Sequence, residues 1–523
     1  MKSYIKQLKS EFHGYNLGSF KRDLLSGLTV AAVALPLALA FGLSSGATAQ
    51  AGLITAIIAG IVIGALSGAS YQISGPTGAM AVILLPLVAK FGLSAIFLAG
   101  FIAGGILIVA GVCNLGKVIQ IIPAPVITGF TSGIAALIII GQVDNIIANW
   151  WSVGVTISVV VFLFLYPKKF SKFVPSSLVA LVLATLICVI AKIPVERIGD
   201  IPRNIFPDER LSIKSIFNLH LLKSVAVPAV SIAILCMIES LLCGEVGARM
   251  KHERFDTRQE LIAQGVGNIA ISFCGGVPAT AAIARTSVNI KSGGKTRVAS
   301  LIHALGLLIS IVALAPVMSK IPLAVLAGIL VVVAIRMNEW VMLKFMWNKK
   351  LLDAMSQFAV TMILTIVFDL TVAIIAGVIF ACLWFIMQLT RDTKVDISNV
   401  DENKLGDKLD AKAKKRLSTV RVIYLTGPVF FSTVHQIDDK INAQKDTSDV
   451  ILSMRGVSMI DTSGILEFHN LLENLTLKNC RLVLAGMQKT VQMRLEQSGF
   501  INKLGNNNVF WDAREAIKST IAN

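Results

Sequence analysis

Hydrophobic residues fill the first three quarters of the chain in long blocks. Between Leu24 and Ala89 there is no Asp, Glu, Lys or Arg, and comparable blocks recur as far as Gln388. A spanning helix needs roughly 20 apolar residues to cross about 30 Å of hydrocarbon. Roughly twelve full-length candidates and two short ones fit between Leu24 and Gln388 on that length rule. The pattern predicts a polytopic α-helical membrane body over residues 21–390. The first block is too long, and too soon followed by the next, for a cleaved signal peptide. The pattern then reverses: from Arg391 to Arg416, 14 of 26 residues are charged, which reads as a linker, 391–416. Beyond it the elements are short. "VRVIYLTGPVFF", "DVILSMRG" and "CRLVLAGM" read as strands, and "STVHQIDDKINAQ", "TSGILEFHNLLENLTLKN" and "QKTVQMRLEQSGF" as helices. Residues 417–523 are therefore expected to form an α/β domain.

The apolar blocks are interrupted in a way that repeats. "YQISGPTGAMAVILL" is followed by "IIPAPVITGFTSGIAAL"; later "FCGGVPATAAIARTSV" is followed by "KIPLAVLAGILVVVAI". Pro76 and Pro123 lie 47 residues apart, Pro278 and Pro322 44 apart. The two halves, about 21–200 and 222–390, would each hold seven segments. An odd count per half inserts the second copy upside down, giving a 7+7 inverted repeat of 14 transmembrane segments. Inverted repeats with interrupted helices are typical of secondary transporters.

Composition adds the sidedness. Of 523 residues, 55% are hydrophobic and 15% charged, against about 25% charged in soluble domains. The net charge of +17 could suggest nucleic acid, but in a membrane protein basic residues mark cytoplasmic loops. Residues 1–20 carry Lys2, Lys6 and Lys9, with Lys21 and Arg22 just beyond, against Glu11 alone. This places the N-terminus in the cytoplasm. Clusters at Lys168, Lys169 and Lys172 and at Lys344, Lys349 and Lys350 fit the same side. An even number of spans returns the C-terminal domain there, and no nucleic-acid partner is expected. The seven cysteines (Cys113, Cys188, Cys236, Cys243, Cys274, Cys382, Cys480) form no CxxC pair and read as packing residues, with no metal site.

Backbone left unpaired in lipid costs several kcal/mol per group, so a Gly-Pro break at depth is tolerated only beside protein or a water-filled cavity. Each break is expected to start a half-helix, the third and tenth segments, with the proline in the first turn. Two such N-termini facing each other form an anion site, since free N–H groups and the helix dipole favour negative charge. Arg285, read as two turns into the second half-helix, would add a full cation. Gly78, Ala79, Ala282 and Ala284 leave the backbone open, Thr77 offers a hydroxyl, and Phe41 is a candidate wall. Glu239, in "ILCMIESLLCGEV", is costly as a permanent charge at helix centre, about 2.5–3.5 kcal/mol. It reads as a proton carrier or cation ligand, or else as a packing partner of Arg285. Glu245 is placed at the membrane edge, and Asp369 as a cap of the last helix. "SGGKT" at Ser292–Thr296 lacks the first glycine of a phosphate loop, where Asn289 stands, and is rejected as one. His435 and His469 are isolated. No catalytic constellation appears, so neither enzymatic activity nor a cofactor is expected.

These stretches resemble the sulfate permease (SulP) family of anion transporters over nearly the whole chain. The resemblance rests on "ISGPTGAMAV", "IIPAPVITGFTSGIA", "MIESLL", "RQELIAQGVGNI", "GGVPATAAIARTSVN" and "SGGKTRVA", in the family's order. The tail resembles a STAS domain, with Asp461-Thr462-Ser463-Gly464 at its motif. The resemblance implies core and gate domains, a fold shared with nucleobase transporters, a homodimer and elevator-type alternating access in an inner membrane. It places Phe41, Thr77, Gly78, Ala79, Ile283, Ala284 and Arg285 around the anion, and Glu239 at the acidic position tied to coupling. Glu there, with Cys243 rather than a hard-cation ligand one turn on, favours H+ over Na+. Bicarbonate, sulfate or a dicarboxylate such as fumarate are the expected substrates. The alternatives are a nucleobase transporter of the related fold, or an anion channel or sensor with STAS output. Ala282, Ile283 and Ala284 offer a base no hydrogen bonds. Thr462 stands where antagonist proteins are phosphorylated, and either it or Asp461 would cap the following helix. A cytoplasmic regulatory partner would act at this domain.

Overall fold

The computed structural model describes all residues except 1, 117–121, 168–169, 171–173, 201–206, 208, 369, 393, 400–410, 431–446 and 523. Asp369, His435, the helix expected over 432–444 and the cluster at Lys168, Lys169 and Lys172 thus lie outside the described residues. The chain forms two compact units, Met1–Phe380 and Ala381–Asn523.

The first unit is helical. Among the described residues, six helices are long and apolar enough to cross a membrane: Leu17–Ser44, Ala49–Leu66, Leu93–Val112, Ala124–Ile147, Leu219–Lys251 and Val298–Met318. The pair Leu323–Met337 and Trp340–Asn348, bent by 41°, makes a seventh. Four more apolar helices among the described residues are shorter, Gly78–Phe91, Trp150–Leu165, Ser176–Ile190 and Leu352–Val367, and a further one, Leu370–Asp392, has 23 residues. Prolines and caps cut the apolar blocks: Asn149 caps Trp150–Leu165, and its side chain accepts from the Ser152 amide.

Large apolar side chains such as Trp150, Leu165, Ile190 and Val227 are exposed. In water a surface of this kind would be a liability, and in lipid it is not. Small residues let helices meet backbone to backbone. A Cβ on Gly104 would stand 2.7 Å from the Gly265 carbonyl oxygen, and one on Gly265 2.6 Å from that of Gly104. The helices Leu93–Val112 and Thr257–Phe273 therefore touch with nothing between them. Pro123 and Pro322 both occupy the N-cap of a helix, Ala124–Ile140 and Leu323–Met337. A proline has no amide to leave unpaired there.

Residues 1–20, expected as a cytoplasmic N-terminus, contain a helix, Lys2–Glu11, fastened to the body. Glu11 and Arg297 form an ion pair at 2.7 Å, both side chains being about 95% buried. Asp23 accepts from the amides of Lys295 (2.6 Å) and Thr296 (3.1 Å) and from the Thr296 hydroxyl (2.6 Å). The "SGGKT" loop thus cradles an anion after all, a carboxylate of its own chain.

The second unit is an α/β domain. Its sheet has the order β3–β4–β5–β6–β7: Lys394–Asn399, Val420–Thr426, Asp449–Gly456, Arg481–Ala485 and Val509–Phe510. β3 is antiparallel to β4, and the rest are parallel. The charged stretch read as a linker therefore supplies an edge strand; its charges masked the pattern, although Ile397 packs on the core. Apolar clusters cover both faces of the sheet, one around Phe468 and Phe500, the other around Ala516 and Ile517. Burial pushes the Cys480 thiol up to about 11, which keeps it protonated. His469 packs edge-on against Phe500.

Asp461 caps the helix Thr462–Leu477, accepting from the Gly464 amide at 2.6 Å. Asp461→Ala is expected to lower the stability of this domain by about 1 kcal/mol. Pulse proteolysis of the full chain in urea would show it as a lowered midpoint; an unchanged midpoint refutes the cap.

Candidate functional site

Two extended segments meet inside the helical body. β1, Ser74–Gly75, lies antiparallel to β2, Thr280–Ala281, with Ser74 opposite Ala281 and Gly75 opposite Thr280. Their side chains are almost wholly buried, Ser74 at 2% and Thr280 at 0% exposure. The ladder pairs backbone groups that a simple helix break would leave bare. Each strand runs on into a short helix: Gly78–Phe91 after β1, Ile283–Lys291 after β2. The helices leave the two-residue ladder at opposite ends, so both N-termini stay at the crossing.

Neither proline sits in a first helical turn, which corrects the sequence-based expectation. Pro76 precedes the Thr77 N-cap, and Pro278 lies before β2. Thr77 is the cap: its hydroxyl accepts from the Met80 amide at 3.4 Å. The amides of Gly78 and Ala79, and of Ile283, Ala284 and Arg285, have no partner within their own helices by position alone.

Arg285 is the third residue of its helix, in the first turn, and not two turns in. It is 1% exposed. Its Nη2 donates to the Pro76 carbonyl oxygen across the crossing. Its Nε and Nη1 have no hydrogen-bond partner among the described residues. Gly75 leaves room for the guanidinium: a Cβ there would collide with Nη1.

Glu239 is half-buried in the middle of Leu219–Lys251. It accepts a hydrogen bond from the Thr77 hydroxyl at 3.1 Å. No ion pair joins it to Arg285 among the described residues. The two charged groups instead hold adjacent residues, Pro76 and Thr77. Glu245 pairs with Arg249 at 3.2 Å on an exposed surface.

The other residues singled out in the sequence gather here unevenly. Phe41 is buried, and its ring edge would lie 3.1 Å from a Cβ on Gly78, with Ile138 on the same spot. Ala79 is buried. Ile283 and Ala284 are exposed, Ile283 by 43%, so the second N-terminus is the open side. Cys243 donates to the Thr286 hydroxyl, sulfur to oxygen 3.2 Å. Thr462 lies in the other unit, exposed at the start of its helix.

A polar stripe was overlooked. Glu260, Gln264 and Asn268 are fully buried on one helix. Asn268 grips Ala279 at both amide (2.8 Å) and carbonyl (2.9 Å). Gln264 donates to Ser74 at 2.9 Å and to Glu260 at 2.8 Å, and Glu260 accepts from Ser67 at 2.5 Å and the Gly68 amide at 3.0 Å. Together they hold β1 and β2 in place. The sequence signal was present: three polar residues four apart lie on one helix face.

Residues 20–149 and 146–361 match the family model described as Sulfate permease family, and 411–516 match the STAS domain. The chain is 32% identical to the "Putative sulfate transporter YvdB" of Bacillus subtilis, over 96% of this chain and 98% of that one. It is 29% identical to the bicarbonate transporter BicA of Picosynechococcus, over 98% and 96%. Its fold is similar to that of the murine anion transporter Slc26a9, with a TM-score of 0.82 at 19% identity, covering 100% and 95% of the two chains.

Proposed function

The chain belongs to the sulfate permease family, a family of transporters and not of enzymes, and from that premise we propose that it is a secondary active transporter of a small anion. The observation that carries this reading is Arg285, buried at the crossing of two half-helices with Nε and Nη1 unpartnered. A guanidinium desolvated without an acceptor is costly, and an anion supplies the acceptor. The free amides of Gly78, Ala79, Ile283 and Ala284 add helix-end dipoles of the same sign. Phe41 walls the site, and the Thr77 hydroxyl lies between it and Glu239.

Fourteen segments form the 7+7 inverted repeat, a count that takes in the half-helices and Thr257–Phe273 beside the apolar helices. The antiparallel β1–β2 pair and the matching N-cap prolines support the repeat. Core and gate domains move against each other in elevator fashion, as a homodimer in an inner membrane with both the N-terminus and the STAS domain cytoplasmic. Protons drive uptake through Glu239, whose protonation spares the moving site a buried charge; Na+ is the lesser candidate. Thr462 is open to phosphorylation and to a cytoplasmic partner.

The test is uptake into proteoliposomes of labelled bicarbonate, sulfate and fumarate under set pH and sodium gradients. Accumulation of at least one anion, driven by an inward proton gradient, is expected. Uptake of uracil without any anion would overturn the proposal in favour of a nucleobase carrier.

A further inference from the structure

Thr77 stands between the two ligands that the proposed transport cycle must couple. Its side chain has one proton and two lone pairs. One lone pair accepts from Met80. The proton goes to Glu239, 3.1 Å away, and Thr77 is the hydrogen-bond partner of that carboxylate among the described residues. An ionised carboxylate can only accept, so while Glu239 is charged the Thr77 proton is committed to it. A protonated Glu239 becomes a donor. The hydrogen bond can then reverse, with the carboxyl O–H donating to Thr77 Oγ1, and the Thr77 proton is released toward the crossing.

We propose that Thr77 is an anion ligand that couples proton to anion by reversing its hydrogen bond: with Glu239 ionised it serves the carboxylate, and with Glu239 protonated it donates to the anion. This rests on the anion-transport reading above and deepens it. The proton comes from bulk water on one side of the membrane, stays on Glu239 while the anion is bound, and returns to bulk water on the other; no covalent bond other than that O–H forms or breaks.

The surroundings leave this contact as the direct link. Arg285, from the second half-helix, is held by Pro76. Glu260, from Thr257–Phe273, is occupied by Ser67, Gly68 and Gln264. On the helix of Glu239 itself, Cys243 is turned to Thr286, and Glu245 to Arg249. The packed helix Leu93–Val112 and strand β2 carry no titratable group. Lys90 and Lys291 stand in the last turns of the half-helices, away from the crossing, and Lys214 lies on the short helix before Leu219.

The experiment compares Thr77→Val and Thr77→Ser with the unaltered protein. It measures the equilibrium affinity for whichever of sulfate, bicarbonate and fumarate the uptake panel shows to be carried. Purified full-length protein is titrated on both sides of the Glu239 transition. Simple repulsion between Glu239 and the anion acts with or without a hydroxyl, so the informative quantity is the penalty of Thr77→Val at each pH. At high pH, where the hydroxyl is committed to Glu239, the penalty is expected to be less than about threefold. At low pH it is expected to reach roughly tenfold or more, as for a hydrogen bond to a charged group. Thr77→Ser, which keeps the hydroxyl, restores the pH-dependent part. Combined with Glu239→Gln, whose amide NH2 can donate to Thr77 at every pH, Thr77→Val is expected to carry a penalty that no longer changes with pH. A penalty independent of pH in the Glu239 background overturns the proposal, as does a serine variant that behaves like valine. Absence of any anion binding in the unaltered protein would instead sink the transport reading.

Discussion

Replacing Arg285 with glutamine is expected to weaken anion binding by about a hundredfold. Nε and Nη1 are the free donors of a buried side chain. Hydrogen bonds to charged groups contribute about 1.5–3 kcal/mol each, and every 1.4 kcal/mol is tenfold in affinity. Glutamine keeps a donor that can reach toward Pro76, which makes it the gentler substitution. Arg285→Lys keeps the charge but loses the planar fork, so a loss of similar order is expected if the donors matter more than the net charge. Affinity of the purified protein, with melting temperature as the check on folding, decides the matter. An unaltered affinity in a folded Arg285→Gln protein would return this residue to helix packing.

Glu239→Gln is expected to abolish proton-driven accumulation and to leave anion exchange intact. The amide is close in shape to the protonated acid and can donate to Thr77, but it carries no proton through the cycle. Uptake against a gradient should fall to equilibration, and the pH dependence of uptake should flatten, while exchange of internal for external anion continues. Retention of the original pH profile in this variant would assign the coupling elsewhere. Glu260 is then the next carboxylate to test, being fully buried and joined to β1 through Gln264 and Ser74.

Much of this site could be read from residue order. Glycine and proline inside apolar blocks, at matched spacing, can only be accommodated by interrupted helices facing protein or a cavity. Thr77, Gly78 and Arg285 follow from that argument on the sequence alone. Where each helix starts was misplaced, because the breaks pair with each other. A two-residue ladder between positions about 200 apart leaves no local trace. The Glu239–Arg285 question was open for the same reason: spacing along the chain does not say that Pro76 and Thr77 would come between them. Glu260, Gln264 and Asn268 were legible as a stripe, but their stretch, "RQELIAQGVGNI", entered only as part of the family resemblance and no role was read from it. In the second unit, β5 coincides with "DVILSMRG", since Val450, Ile451, Leu452 and Met454 give it an apolar centre with a charged residue near each end. β3 was hidden by the charge around it.

The reciprocal glycine contact of Leu93–Val112 with Thr257–Phe273 bears on how force passes through the molecule. Side chains between helices act as compliant spacers, because rotamers can shift to absorb a displacement. Here the backbones touch, and the joint has no slack. A push on one helix is delivered whole to the other, and through Asn268 and Gln264 to the two strands at the crossing. On the elevator reading proposed above, such a joint lets the site be carried from place to place as a solid piece, its geometry unchanged by the journey.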